Sequence, residues 1–597
     1  MKEILKNVFN ISRIIPRLIA SWFLYVVFLE IIYKNPADLS FASSVSLIKA
    51  FAFVFGVFIV SSVVASLLYK VHFDSYYLLV IHTVFTILSL NLISGKSTNV
   101  SLLVSLGFLL LYAFTLVYFY KTNKSFIENL YLPKWLTILL IVVFALGSFL
   151  ICGSIMFFKT RSLSSPNFDY GLFENVFYNI RRTGHPYATC ERDELLSHFS
   201  IHLSPIFYVI YPIFYIFPYA ETLNVIQPFF VTLGVLPIVL MCFKRGFSNI
   251  HTLIISILYL FNLVILSSGN YDFHENSLLI FPLLMLMYFS LTSGVKRYIG
   301  MAISAILVLS VKEDAFIYVF VFGIYLLVSE RKYIEGLIYM ALPVLYFFFA
   351  LNYINTQGVG AMTSSRYGIL IYNEDDGFMG IIKTLFVNPA YAIKELFTTT
   401  TGSYSKLMYV LELFIPLVFI PLFIKRPSRL VLLLPIILNL LTEYSYQYDI
   451  GFQYHYGIVA YLFFLTILNL DDLADTYRGF LIHISLFITI IMFITSYIPR
   501  ASYPLSVYME NKDYYEAKIE ILESIDKDAS VSANTFFIAY LADREEIYET
   551  YYHKDRLSVD YVVLNSKDSS DMNLYTYYLN NGYTEISNNY DMIILKK

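Results

Sequence analysis

The chain has 597 residues, of which 58% are hydrophobic and 14% charged, against about 25% charged residues in ordinary soluble domains. A net charge of −3 with no basic tract excludes nucleic acid as an expected partner. Three widely separated cysteines (Cys152, Cys190 and Cys242) exclude a disulfide framework and a cysteine-type metal site.

Apolar runs of roughly 20 residues, the length that crosses a hydrocarbon core, recur from end to end. The fold class is an all-α polytopic membrane protein with about 15 transmembrane helices. The first run follows basic residues, is too long for a signal h-region, and reads as a retained span. Spans are expected near 14–33, 46–69, 76–94, 101–120 and 136–157, then 221–242, 250–268, 275–293, 298–311, 315–328 and 333–351, and finally 407–424, 428–443, 456–470 and 479–497. The apolar segment 203–218 is interrupted by Pro205, Pro212 and Pro218 and is read as re-entrant. Lys and Arg then alternate as cytoplasmic loops require: Lys2, Lys6, Arg13 and Arg17 put the N-terminus inside, and Lys70, the 121–134 lysines, Lys244–Arg245, Lys296–Arg297, Arg331–Lys332, Lys425–Arg429 and Arg478 follow on the same side.

Three parts result. Residues 1–130 form an accessory bundle of about four spans with almost no charge inside it. Residues 131–497 form the working core, with long extracytoplasmic loops at 158–220 and 352–406. Residues 498–597 are less apolar, with alternating strands near 530–533 and 560–564 and helices near 513–523 and 571–581, and read as a small extracytoplasmic α/β domain.

This orientation collects the polar clusters of the core on one face. They are Asp169, His198 with His202, Asp272 with His274 and Glu275, Lys312 with Glu313 and Asp314, and His455 in the aromatic run 453–456. Carboxylates and imidazoles near a bilayer are costly and usually functional. Asp169 precedes an amphipathic stretch, Tyr170 to Ile180, expected to lie on the membrane surface. It reads either as the N-cap of that helix or as a general base. His198 and His202 have a four-residue spacing compatible with a metal, but no zinc-protease pattern accompanies them. His274 reads as an interfacial collar or a ligand group. Lys312, Glu313 and Asp314 read as a turn between spans or a site, the run at His455 as an aromatic belt or a site, and Arg366 as a phosphate grip or a headgroup contact. There is no phosphate-binding glycine loop and no nucleophile elbow.

Six pieces taken together resemble the membrane-protein family called domain of unknown function 2079. They are Phe168-Asp169-Tyr170-Gly171-Leu172-Phe173, His198-Phe199-Ser200 with Ser204-Pro205, Phe273-His274-Glu275, Lys312-Glu313-Asp314, Tyr454-His455-Tyr456 and Asp560-Tyr561-Val562-Val563-Leu564. The likeness covers about 160 to 597 and leaves out the first four spans. That family resembles the C-type glycosyltransferase superfamily, enzymes with an amphipathic jaw helix in the first large outer loop and an acid at its start. The resemblance implies transfer of a sugar from a polyprenyl-phosphate lipid to an acceptor at the outer face, with inversion and with Asp169 as the catalytic base. Members often carry paired acids there. Here Asp169 has no adjacent acid, and Glu174 follows one turn on. His198, His202, Asp272, His274, Lys312, Glu313, Asp314, Arg366 and His455 are the expected substrate-binding groups, with Glu313 and Asp314 orienting the sugar or a divalent cation. The alternatives are a transporter or flippase of a lipid-linked or small anionic solute, and a non-catalytic membrane subunit.

The orientation is directly testable. With the native cysteines replaced, Ser364→Cys should react with an impermeant thiol reagent added outside intact cells, and Pro427→Cys should not. The reverse pattern would separate the clusters from the side on which the chemistry is expected.

Overall fold

The computed structural model describes residues 9–33, 45–68, 71–94, 98–128, 130–357, 366–373, 377–398, 406–550, 552 and 557–597. Lys2, Lys6, Lys70, Ser364 and parts of the loops 34–45, 95–100 and 352–406 lie outside them. Helix lies within each expected span, although regular helix fills only part of 407–424. Among the described residues, seven helices are long and apolar enough to cross a membrane, and eight if the bent pair 249–260 and 263–269 is one span. Phe207–Ile216, Glu275–Ser290 and Pro427–Leu440 are shorter apolar helices. The first of these has 10 residues, too few to span alone, and it occupies the segment read as re-entrant.

The chain divides into two compact units. The first contains 1–137, 248–258 and 473–500. Its main helices are α1 (Ile11–Ile32), α2 (Leu47–Leu67), α3 (Phe73–Ser94) and α4 (Thr98–Glu128). α2 leaves Leu47 73%, Ile48 82% and Phe51 71% exposed, a surface suited to hydrocarbon rather than water. The expectation that this bundle is almost free of charge fails. Arg17, fully buried on α1, bonds the Asp74 carboxylate at 2.6 Å. The reason is that α3 begins at Phe73, which draws Asp74 into the packed bundle.

The second unit contains 138–247, 259–472 and 501–597. It opens with α5 (Lys134–Arg161), followed by one wide helical turn at Asn167–Gly171 and the amphipathic α6 (Leu172–Thr183). A two-residue hairpin pairs β1 (Tyr187–Ala188) with β2 (Leu196–Ser197). The centre of the unit is Tyr456–Asp471, buried from Tyr456 to Leu470. A helix apolar on all sides belongs in such a core. The expected span 407–424 is broken: regular helix stops at Phe414, short turns begin at Pro416 and Pro421, and Val418 and Phe419 take φ of 48° and 56°. Proline removes a backbone donor and clashes with the preceding turn.

The C-terminal segment carries a five-stranded sheet in the order β4-β3-β5-β7-β6. β3 (Val531–Ala533) runs parallel to β4 (Ile547–Glu549) and β5 (Tyr561–Asn565), while β7 (Met592–Lys596) runs antiparallel to β5 and β6 (Thr584–Asn589). Helices Lys512–Glu523 and Ser569–Asn580 lie close to the expected ranges.

α6 does not rest on a lipid surface. Leu172, Phe173, Val176, Phe177 and Ile180 are each at most 5% exposed, and the Phe173 and Phe177 rings pack on Phe207 and Phe273. Asn175 on its polar side is covered as well, its Nδ2 donating to the carbonyls of Ala542 at 2.9 Å and Arg544 at 3.0 Å, while Arg181, Arg182 and Thr183 at the end of the helix are exposed. The α/β domain therefore sits on the helix that follows Asp169. At Gly171 the approach is close enough that a Cβ would lie 2.6 Å from Ile538 Cγ2. Gly171→Ala should therefore cost about 1–3 kcal/mol, the usual penalty of overpacking. Ile538→Ala in the same chain should recover part of that loss. Thermal unfolding midpoints of the four proteins measure the coupling, and strictly additive shifts would show that the contact is not the cause.

Candidate functional site

Asp169 does not cap α6. The N-terminal flank of that helix is Gly171, with no side-chain cap, and Asp169 Oδ1 instead accepts the Tyr271 hydroxyl hydrogen bond. Burial raises the Asp169 carboxyl above its ordinary value, while the Tyr271 bond pulls it back down. The next acid, Glu174, is 4% exposed, and burial pushes its carboxyl well above the usual range. The two acids therefore do not form a matched pair.

The backbone on both sides of Asp169 is held by the α/β domain. Asn167 N–H donates to Thr535 Oγ1 at 3.0 Å, and its side-chain amide donates to Glu549 Oε2 at 2.8 Å and to the Cys190 carbonyl at 2.8 Å. The Phe168 and Tyr552 rings lie 4.9 Å apart, and Gly171 abuts Ile538.

Beside Asp169, Asp272 is fully engaged. Its Oδ2 meets Lys159 Nζ at 2.7 Å, and its Oδ1 accepts from Ser165 Oγ at 2.5 Å and from Asn224 Nδ2 at 3.3 Å. This carboxylate ties the end of α5 to the loop before Asp169 and is not turned toward an open cavity.

The two histidines four residues apart do not share a ligand. His198 Nδ1 lies 2.9 Å from Glu191 Oε1 and 3.1 Å from Oε2. Burial opposes its charged form, but the Glu191 carboxylate outweighs burial and raises the ring above its ordinary value. Glu191 is held low by the same contact against the opposing effect of burial. His202 Nδ1 lies 2.9 Å from Glu313 Oε1, and Glu313 Oε2 accepts the Leu203 N–H at 3.1 Å. His274 Nδ1 accepts from the Asn276 N–H at 3.4 Å. Burial lowers His274 to about 3 against the opposing effect of Glu275, whose carboxylate lies 3.1 Å from its Nδ1. Lys312 Nζ lies 3.2 Å from Glu275 Oε1. The rings of His198 and His202 lie 6.0 Å apart, and Phe173 lies 5.5 Å from His198 and 5.8 Å from His274. His198, His202, His274, Lys312 and Glu313 thus form one buried network.

Asp314 follows that network and faces a different space. It lines a largely apolar, open cavity of about 220 Å³ with Asn276, Phe347, Leu441, Tyr454 and Tyr456. Burial, only partly offset by Lys312, raises the Asp314 carboxyl. Arg366 stacks its guanidinium on Tyr444 and Tyr454, 5.0 and 5.2 Å from the ring centroids. His455 is not in the cavity wall: its Nε2 donates to the Asp449 carbonyl at 2.6 Å, and its Nδ1 meets the Tyr409 hydroxyl at 3.2 Å. Gln453, Tyr454 and Tyr456 around it do line the cavity. Among the described residues no three of His, Cys, Asp and Glu converge as a metal site. Glu313 is committed to His202 and Leu203, so these side chains do not fit the divalent-cation expectation and no step is assigned to one.

Sequence reading missed Lys159, Glu191 and Tyr271, which respectively pair with Asp272, His198 and Asp169. Only Tyr271 carried a local signal, its place directly before Asp272.

Apolar spans, an α/β domain clamped on α6 and a belt of buried ion pairs define a multi-pass helical membrane protein. The chain matches the family described as predicted membrane protein DUF2079 over residues 159–593 and belongs to that family. Among solved structures it is similar to ArnT from Cupriavidus metallidurans bound to undecaprenyl phosphate, with 11% identity, 77% of this chain and 97% of that chain covered, and a TM-score of 0.47. The apo state of ArnT from Cupriavidus metallidurans matches with the same coverage, 10% identity and a TM-score of 0.43. No curated protein matches.

The Tyr271 bond stabilises the ionised form of Asp169, so its removal should raise the Asp169 pKa further. Tyr271→Phe should move the Asp169 carboxyl titration, followed by infrared difference spectroscopy, to higher pH. A titration left in place would show that this hydroxyl does not set the charge state.

Proposed function

We propose that this protein is an inverting membrane glycosyltransferase that takes a sugar from a polyprenyl-phosphate lipid, with Asp169 as the general base. The observation that carries this reading is an uncommitted guanidinium beside an apolar cavity. The Arg366 carbonyl accepts from Thr442 Oγ1 at 2.7 Å, while the guanidinium makes no hydrogen bond or ion pair among the described residues and is held by the faces of Tyr444 and Tyr454. Tyr454 and Asp314 line the cavity. A phosphate on a long apolar chain answers both features, since guanidinium binds phosphate through paired hydrogen bonds and concave apolar walls hold hydrocarbon. From Arg366 a run of rings leads to the proposed base: Tyr444 to Tyr446 at 5.0 Å, Tyr446 to Phe452 at 4.3 Å and Phe452 to Tyr271 at 4.9 Å, with Tyr271 bonded to Asp169.

In the proposed reaction Asp169 takes the proton of an acceptor hydroxyl. The oxygen attacks the anomeric carbon from the face opposite the phosphate, a new carbon–oxygen bond forms, and the phosphate leaves with the electron pair of the broken one. Arg366 stabilises the charge on that leaving phosphate. His198, His202, His274, Lys312 and Glu313 shape the wall next to Asp314, and Asp272 fixes Lys159 beside Tyr271. The belt and the 498–597 domain lie on the extracytoplasmic side in this reading.

One observation favours the second reading, a transporter of a lipid-linked or small anionic solute. Charged and titratable groups occur at several depths of the N-terminal unit, at Arg17 with Asp74, at His82 and at Glu30.

Membranes containing the protein, supplied with polyprenyl phosphate carrying a radiolabelled sugar, provide the test. Asp169→Asn should reduce sugar transfer by about 10²–10⁴-fold while the protein stays folded, and Arg366→Ala should weaken retention of polyprenyl phosphate. Full transfer by the Asn variant would reject Asp169 as the base. Movement of labelled lipid with no cleavage of its sugar–phosphate bond would replace the enzyme by the transporter.

A further inference from the structure

The four N-terminal helices lie outside the segment that matches the family, and they enclose a line of polar side chains. α1 and α3 run side by side in the same direction, with Arg17 meeting Asp74 at one end and Glu30 meeting Ser89 at the other. Around Arg17 and Asp74, Arg17 Nη1 donates to Ser62 Oγ at 2.8 Å and Asn123 Nδ2 donates to Ser75 Oγ at 2.8 Å. Farther along, His82 Nδ1 lies 2.7 Å from Thr115 Oγ1, and the Thr83 and Tyr112 hydroxyls lie 2.6 Å apart. Arg13 meets His72 at the Arg17 end.

Asp74, His82, Thr86 and Ser89 fall on one face of α3, within an arc of about 120° at the helical repeat. They are buried, at 2%, 3%, 0% and 6% exposure. The rise from Asp74 to Ser89 is roughly 22 Å, most of the roughly 30 Å hydrocarbon thickness.

Polar side chains in membrane bundles often serve only as interhelical glue, and glue would account for the atoms that have partners. Four atoms on this line have none among the described residues: Asp74 Oδ2, His82 Nε2, Thr86 Oγ1 and Glu30 Oε2. Buried polar atoms are nearly always hydrogen-bonded, and in a polar interior water supplies the missing partner. Two carboxylates and an imidazole along α1 and α3, with Leu78 and Phe23 packed before the imidazole and the Thr86 and Ser89 hydroxyls beyond it, have the chemistry of a proton relay.

We propose that the N-terminal bundle holds a water-linked proton path running between Asp74 and Glu30 through His82. Each group takes a proton on one atom and releases one from another. His82 gains a proton at its basic nitrogen and loses one from the opposite nitrogen, and ring reorientation restores the starting tautomer. One proton crosses per cycle, and no electron moves. Arg17 holds the entry carboxylate Asp74 in place, and Glu30, bonded by the Ser89 hydroxyl, is the exchanging group at the far end.

The full-length protein reconstituted into phosphatidylcholine liposomes, with pyranine inside and a valinomycin–potassium potential as the driving force, tests the path. Proton entry should exceed that of protein-free liposomes and fall to that background in both Glu30→Gln and His82→Gln. Gln at position 30 still accepts the Ser89 bond, so its melting temperature should stay at the wild-type value. Wild-type flux no faster than protein-free liposomes would overturn the proposal. Wild-type flux retained by both variants, with melting temperatures lowered, would also overturn it and leave the polar line as interhelical glue.

Discussion

The constraint on which the molecule depends is that an ionised group withdrawn from water must meet its counter-charge inside the protein. The cost of burying an isolated charge runs to several kcal/mol or more, and breaking one side of a buried pair costs about 3–5 kcal/mol. The chain meets this requirement with contacts far apart in sequence. Lys159 meets Asp272, Glu313 meets His202, Lys312 meets Glu275 and Arg17 meets Asp74. Each of these contacts fixes the relative position of segments that hydrophobic packing alone, being non-directional, would leave free to slide.

The exceptions are informative because pairing is so general. Asp169 meets a neutral phenol rather than a cation. Arg366 meets two aromatic faces rather than a carboxylate, an arrangement that retains the charge and leaves the guanidinium hydrogens available. Asp314 is adjacent to a paired acid but itself faces the cavity. These three groups stand apart from the ion pairs of the belt, and the proposed reaction uses Asp169 and Arg366. In the N-terminal unit, Glu30 is the same kind of exception, with Ser89 as its partner.

What was legible in the sequence was whatever has a local period or a local cost. Apolar runs gave the helices, alternation gave the C-terminal strands, and acids and imidazoles at the ends of apolar runs marked the belt. What was not legible was pairing. Nothing near His198 says that Glu191 turns back to meet it, since Glu191-Arg192-Asp193-Glu194 reads as an ordinary charged loop. Nothing near Asp272 names Lys159. The place of His455 was not legible for the same reason: a histidine among tyrosines has the same local sequence whether it lines a cavity or bonds the Asp449 carbonyl and Tyr409 in the interior. Asp74 escaped notice because a three-residue error in the start of α3 is enough to place a carboxylate outside the bundle.

In the proposed reaction, the position of the α/β domain lets Asp169 serve without a second acid beside it. A base must stay within hydrogen-bond reach of the proton it removes, and a displacement of about 1 Å can be expensive in rate. One wide helical turn in a loop is poor support for such a group. Here the turn is held from outside, with Asn167 bonded to Glu549 and Thr535, Phe168 against Tyr552, and Gly171 closed against Ile538. On its inner side Tyr271 holds the carboxylate itself. Asp169 is thus fixed through its backbone by one part of the unit and through its side chain by another, so its orientation does not rely on a second carboxylate beside it. In the proposed reaction the C-terminal domain is part of the catalytic apparatus although none of its residues touches the reacting atoms.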